Sequence, residues 1–260
     1  MLQYAFMQRA FLVSIVVGII LPCIGIVLMQ RKHSMLGDAL SHSALAGVCM
    51  GLLLGWSPTL GSIVACIIAC FAVSGIGKKF PYHKEIAIAV ILSLGIGLSS
   101  VLADFVKTGV NFNSYLFGSI VAISIEEFYL IVILGIVLML LYCKYYYAFM
   151  FYAYNEKEAK RNGVSIRNIE VIYTFMIGIA ISISARIVGA LIVSSLLVIP
   201  CACGLMTGKS YRNALFHSIL YSLFFMISGL CISYYFDLRP GGTIVLLSCF
   251  IFGLLCLRKR

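Results

Sequence analysis

Ala10-Phe11-Leu12-Val13-Ser14-Ile15-Val16-Val17-Gly18-Ile19-Ile20-Leu21-Pro22-Cys23-Ile24-Gly25-Ile26-Val27-Leu28-Met29 carries no charge and is closed by Gln30-Arg31-Lys32. Coiled as a helix at about 1.5 Å per residue, such a run reaches about 30 Å, the thickness of a bilayer's hydrocarbon core. The basic closure, with no small-residue cleavage site, predicts a span that stays in the mature protein. Eight more uncharged stretches follow at 39–56, 57–77, 86–103, 128–143, 171–185, 187–208, 213–236 and 240–257. The fold expected is therefore all-α, a polytopic integral membrane protein with eight to nine transmembrane helices. Eight is admitted because several stretches are short and only Arg186 separates 171–185 from 187–208, so one piece can be re-entrant.

Composition supports this. The chain is 62% hydrophobic and 11% charged, with a mean hydropathy of +1.08, against roughly a quarter charged in a soluble domain. Its 260 residues leave no room for a separate soluble domain, so 1–260 reads as one transmembrane domain in a lipid bilayer. A net charge of +10 could suit nucleic acid, but the basic residues are scattered between apolar runs and no nucleic-acid face forms. The ten cysteines lie in apolar runs without a zinc-finger pair and read as small membrane hydrophobes.

Topology accounts for the charge better. Placing the links that hold Arg31 and Lys32, Lys78 to Lys84, Lys144 to Arg167, Lys209 and Arg212, and the tail Arg258-Lys259-Arg260 on one side gathers 15 of the 19 basic residues there. By the positive-inside rule that side is the cytoplasm. The C-terminus is then cytoplasmic, and with nine spans the N-terminus lies outside. Two links differ from the rest. Residues 108–125 are uncharged but rich in Asn, Ser and Gly, which fits either a re-entrant piece or an external loop. Residues 152–167 form the longest polar stretch, on the basic side, where a soluble partner can meet them.

Asp38 and His42 open the second span, in Gly37-Asp38-Ala39-Leu40-Ser41-His42. Four residues apart on a helix, they share a face with Cβ atoms about 5–6 Å apart. Ionisable groups inside spans are costly and mark ion paths, and a carboxylate with an imidazole suits Zn2+ or Mn2+. The plain alternative is an aspartate favoured by the helix dipole beside a packing histidine. Ser41, between them, is placed to orient a water or ligand. His217 is a single histidine on an apolar helix, where a satisfied core residue is the ordinary outcome, while His33 and His83 sit beside basic residues in links.

Enzymatic signatures are missing. Gly204-Leu205-Met206-Thr207-Gly208-Lys209-Ser210 has three residues between its glycines where a P-loop needs four, and it follows no strand. Neither H-E-x-x-H nor G-x-S-x-G occurs. The chain is expected not to be an enzyme, so ATP-driven work would need a separate ATPase chain.

Four blocks together resemble one family. They are Phe6-Met7-Gln8-Arg9-Ala10-Phe11-Leu12 with Gln30 through Val48, including Gly37-Asp38-Ala39-Leu40-Ser41-His42; Tyr115-Leu116-Phe117-Gly118-Ser119-Ile120; Val188 through Pro200; and Glu158-Ala159-Lys160-Arg161-Asn162-Gly163. Over nearly its whole length the chain is similar to the permease subunit of bacterial zinc and manganese ABC importers, the ABC-3 family, zinc-uptake type. Cys201-Ala202-Cys203 departs from the small apolar residues usual after Pro200. The resemblance implies a metal-chelate type permease that pairs with a second permease copy and moves Zn2+ or Mn2+ through a pathway at the homodimer interface, with no permanently bound cofactor. It implies Asp38 and His42 as metal ligands on that path. It implies a coupling helix at Glu158, Ala159 and Gly163 that docks on an ATP-binding subunit. An extracytoplasmic metal-binding lipoprotein or periplasmic protein would deliver the ion. The alternatives are a manganese or iron permease, a permease for a bulkier cargo such as a siderophore, an intramembrane enzyme, and a gradient-driven secondary transporter working without an ATPase.

Overall fold

A computed structural model describes residues 5–80, 83–106, 118, 124–154, 156–163 and 165–258, and all regular structure among them is helical. The helices are α1 (Ala5–Gln30), α2 (Leu36–Leu53), α3 (Pro58–Lys79), α4 (Lys84–Phe105), α5 (Ile125–Lys144), α6 (Tyr146–Tyr154), α7 (Glu156–Arg161), α8 (Ile166–Val188), α9 (Ala190–Thr207), α10 (Tyr211–Tyr235) and α11 (Pro240–Arg258). Eight of the described helices are long and apolar enough to cross a membrane, and α9 holds a shorter apolar stretch, Ile192–Thr207. The expectation of eight to nine spans holds. The link at 108–125 falls outside the described residues except for Gly118, Ser124 and Ile125.

Local signals set the boundaries. The predicted span 39–56 stops at Leu53 because Gly55 turns the chain at φ +71° and Ser57 caps α3, accepting from the Leu60 amide at 3.4 Å ahead of Pro58. Ser124 and Glu127 form a reciprocal capping box at α5, and Ser210 caps α10 through the Asn213 amide. α8 starts at Ile166, earlier than the predicted 171, because its polar first turn is helical too. Between α8 and α9 the break falls at Gly189, with φ +104°, not at Arg186.

The chain divides into two compact units, one of 1–32, 119–169 and 195–260, the other of 33–118 and 170–194. In the first, α1 is the core helix. α5 approaches it where Gly135 leaves room for Val16, and α10 where Gly18 meets Leu223. The α9 backbone at Leu197 packs so closely on Gly25 that a methyl group there would strike the Leu197 carbonyl. The thiol of Cys201 donates to the Pro22 carbonyl at 3.6 Å, which gives that unexpected cysteine a packing role.

An aromatic block closes one end of this unit. The Tyr142 and Tyr211 hydroxyls bond at 2.9 Å, Phe149 stacks on Tyr142 with centroids 5.6 Å apart, and Tyr154 meets Tyr211 edge-on at 5.9 Å. Gln30 Nε2 donates to the Tyr154 hydroxyl at 3.4 Å. The basic links after α1, after α5 and before α10 therefore share one end of the unit, as their charge predicted. Because Tyr154 and Tyr211 touch, the chain that leaves along α8 has come back by the end of α9.

In the second unit α2 is the core helix, packed against α3 and α4. Gly47 and Gly61 lie back to back, each with no room for a methyl group because of the other's carbonyl oxygen. Such small-residue contacts let helix backbones approach where no hydrophobic force separates protein from lipid. α8 docks on α3 through a 2.6 Å bond between the buried Ser62 and Ser182 hydroxyls and the edge-on pair Phe71 and Phe175. Gly118 packs on the Val188 carbonyl with φ +75°, so both its backbone angle and its lack of side chain are required.

Gly61→Leu should forbid the α2 contact and lower the melting temperature of the detergent-solubilised protein. Gly75→Ala on the same helix, where a methyl group meets nothing within 4 Å, should leave it unchanged or slightly raised.

Candidate functional site

Met35 precedes α2 without a side-chain cap, and Asp38 sits in its first turn, where a negative charge complements the exposed backbone amides. From Leu36 to Cys49 every residue is buried except Asp38 and His42, which are half-exposed. The packing explains this selectivity. α3 covers one flank at Gly47, and the Cys66 thiol donates to the Leu40 carbonyl at 3.4 Å. α4 covers another, with Gly95 so near that a Cβ would stand 2.9 Å from the Ser43 amide and 3.1 Å from the His42 carbonyl carbon. What remains open is one stripe, and the pair lies on it, close enough for the Asp38 charge to act on the His42 ring.

Ser41 points its chemistry elsewhere than that stripe. It is 1% exposed, and its hydroxyl donates to the Gly37 carbonyl at 2.6 Å. Ser43 does the same to Ala39 at 2.8 Å. These bonds settle two hydroxyls inside the helix, and Ser41 keeps only acceptor lone pairs. Among the described residues no three His, Cys, Asp or Glu side chains gather into a cluster able to hold a metal. Asp38 and His42 thus offer two donors, which binds an ion loosely unless water or another chain completes the shell.

The other histidines lie apart from this arrangement in role. His217 on α10 bonds through Nδ1 to Thr207 Oγ1 at 2.9 Å. Thr207 Oγ1 also lies 2.9 Å from the Cys203 carbonyl oxygen, so one hydroxyl ties the His217 ring to the backbone of α9 within the unit. His83 is exposed at the start of α4, and the His33 carbonyl accepts from the Leu36 amide at 2.9 Å. The P-loop-like run is the end of α9 and the turn into α10. Its Gly204 and Gly208 are pressed against Ala214 and, at Gly204, Ser218, so they serve helix contact and cradle no phosphate.

The polar segment predicted at 152–167 divides into parts. Tyr152 to Tyr154 finish α6, and α7 carries exposed Lys157, Glu158, Lys160 and Arg161 around Ala159, which is 0% exposed. Asn162 closes the helix, its amide and side chain both bonding the Glu158 carbonyl, and Gly163 turns out of it at φ +75° with open space around it. Ala159 is the inward anchor and Glu158 the outward face. Sequence reading missed the aromatic block behind them, although the run Tyr145-Tyr146-Tyr147-Ala148-Phe149 announced it.

The comparison with known proteins is consistent along the chain. Residues 3–259 match the ABC 3 transport family. A probable metal transport system membrane protein of Treponema pallidum is 30% identical, covering 95% of this chain and 93% of that protein. The high-affinity zinc uptake system membrane protein ZnuB of Haemophilus influenzae is also 30% identical, over 96% of each. The manganese transport system membrane protein MntC of Listeria monocytogenes is 25% identical, covering 100% of this chain and 96% of that one. Among solved structures, PsaBC from Streptococcus pneumoniae in complex with Fab superposes with a TM-score of 0.87 at 25% identity, covering 97% of this chain and 91% of that chain.

Gly95→Leu should drive α4 from the backbone behind His42 and reduce metal-dependent function together with stability. Gly97→Ala, with nothing within 4 Å, should spare both in the same growth and melting assays.

Proposed function

We propose, from the premise that this chain belongs to the ABC 3 transport family, that it is the membrane permease of an ATP-driven importer of a divalent transition metal, zinc in the first place. The single opening in the wall of α2 carries the reading. Between Leu36 and Cys49 the helix is buried on every other side and exposes one carboxylate and one imidazole, the donors that zinc and manganese share. The 30% identity to ZnuB supports zinc, and manganese is the alternative, with MntC 25% identical over the whole of this chain.

In this reading two copies pair about a two-fold axis and the stripe on α2 faces the path between them. Asp38 and His42 hold the ion in passing, because a path must bind strongly enough to admit and weakly enough to release. A separate ATPase subunit grips α7 from the cytoplasm, to which the shared basic end and the C-terminus are assigned by their charge. An extracytoplasmic binding protein delivers the ion. The permease catalyses no covalent step.

The test is reconstitution with the ATPase and binding protein in liposomes, across a panel of ions. Asp38→Ala and His42→Ala should each lower uptake at least about tenfold while the complex still assembles; full uptake by both variants would remove the ligand role. Stimulation by manganese and not by zinc would move the cargo, and uptake by the permease alone would end the ATP-driven reading. Ala159→Asp, which buries a carboxylate under α7, should lose most of the co-purified ATPase, whereas Glu158→Gln should weaken co-purification only in part.

A further inference from the structure

Arg186 interrupts the apolar run 171–208, yet α8 carries on through it and the chain turns only at Gly189. It is the one charged residue between Val171 and Val188, and it stands half-buried in the last turn of the helix. A cation at that end complements the dipole of α8 in whatever direction its side chain points. The direction it takes is toward α2. Arg186 lines a small cavity of about 10 Å³, room for about one water, together with Ser182, with Ser62 of α3 and with Ala44, Leu45 and Val48 of α2, all in the second unit.

Leu45 follows His42 by three residues and Asp38 by seven, so it continues their face of α2. Along the helix axis these steps amount to about 4.5 Å and about 10 Å. The stripe that is half-open at the acid and the imidazole is closed at this point, Leu45 being 7% exposed. A positive charge therefore borders the closed continuation of the stripe on which the ion would sit. Charges at such a range act strongly on each other where water and salt screen little, and a divalent cation feels twice the force of a monovalent one.

We infer that Arg186 sets how loosely Asp38 and His42 hold the ion, its guanidinium opposing the attraction of the Asp38 carboxylate from one turn further along α2. It is no ligand and acts through space. A guanidinium suits the task because it keeps its charge when partly buried. The ion is thereby bound in passing, as a path requires. The inference rests on the reading of Asp38 and His42 as ligands.

The experiment uses the whole transporter with its ATPase, measuring Zn2+ binding at equilibrium in nanodiscs and the zinc dependence of uptake in proteoliposomes. Arg186→Gln should bind Zn2+ at least about tenfold more tightly, and its half-saturating zinc and its maximal uptake rate should both fall. Arg186→Lys restores the charge and should return both quantities to within about twofold of the wild type. A purely structural role gives a different pattern, weaker binding and slower uptake together, with the lysine variant no better than the glutamine one. Unchanged or weaker binding by Arg186→Gln, or Arg186→Lys behaving like it, would overturn the inference. Should Arg186→Gln fail to fold, Arg186→Met, which keeps an apolar stem in the cavity, decides by the same two readouts. Loss of binding in Asp38→Ala beside wild-type affinity in Arg186→Gln removes the role of Arg186 alone, whereas wild-type binding in Asp38→Ala ends the ligand role and this inference with it.

Discussion

In hydrocarbon there is no solvent to drive apolar helices together, so they hold by closeness of approach and by the few polar bonds they share. Here that closeness is backbone against backbone. Gly47 against Gly61 and Gly95 against Ser43 bring α3 and α4 onto α2, and Gly25 against Leu197 brings α9 onto α1. The form of the site follows from the first two contacts. They close α2 on its flanks and leave Asp38 and His42 as the breach.

Many of the polar groups described within the spans obey the same economy, the buried Ser14 and Ser222 hydroxyls being exceptions with no partner. Ser41, Ser43, Thr174 and Ser218 each donate to the carbonyl four residues back, Ser62 and Ser182 satisfy one another, and Cys66 and Cys201 reach carbonyls on neighbouring helices. Each bond keeps a small donor from facing lipid unpaired. Asp38 and His42 are treated differently: on a stretch of helix whose hydroxyls are settled, they are a half-open acid and imidazole.

Much of this was legible in the amino-acid sequence because bilayer physics is written in long, simple runs. The spans were visible from the missing charges at 10–29 and 213–236. The acid and histidine on α2 were legible from a four-residue spacing. What escaped was set by contacts between distant segments. No local signal tells that Ala159 faces inward while Glu158 faces out, that the glycines at 204 and 208 serve helix contact, or that Arg31 meets Tyr152 across more than a hundred residues. The break at Gly189 was missed for a related reason: a charge at Arg186 looks like an interruption, yet a basic residue ends a helix comfortably and the backbone reverses only where φ turns positive.

The unequal lengths of α1 and α9 carry a consequence for the surrounding lipid. At 26 residues α1 extends about 39 Å and can lean to fit a hydrocarbon layer of about 30 Å, whereas α9, with 18 residues and about 27 Å, has no slack to lean. In bilayers built from longer acyl chains the shortfall lands on α9 and on the turn at Gly189, while α1 merely straightens. Membrane thickness thus acts on this molecule unevenly, as a mechanical load borne by its 18-residue helices, α2 as well as α9.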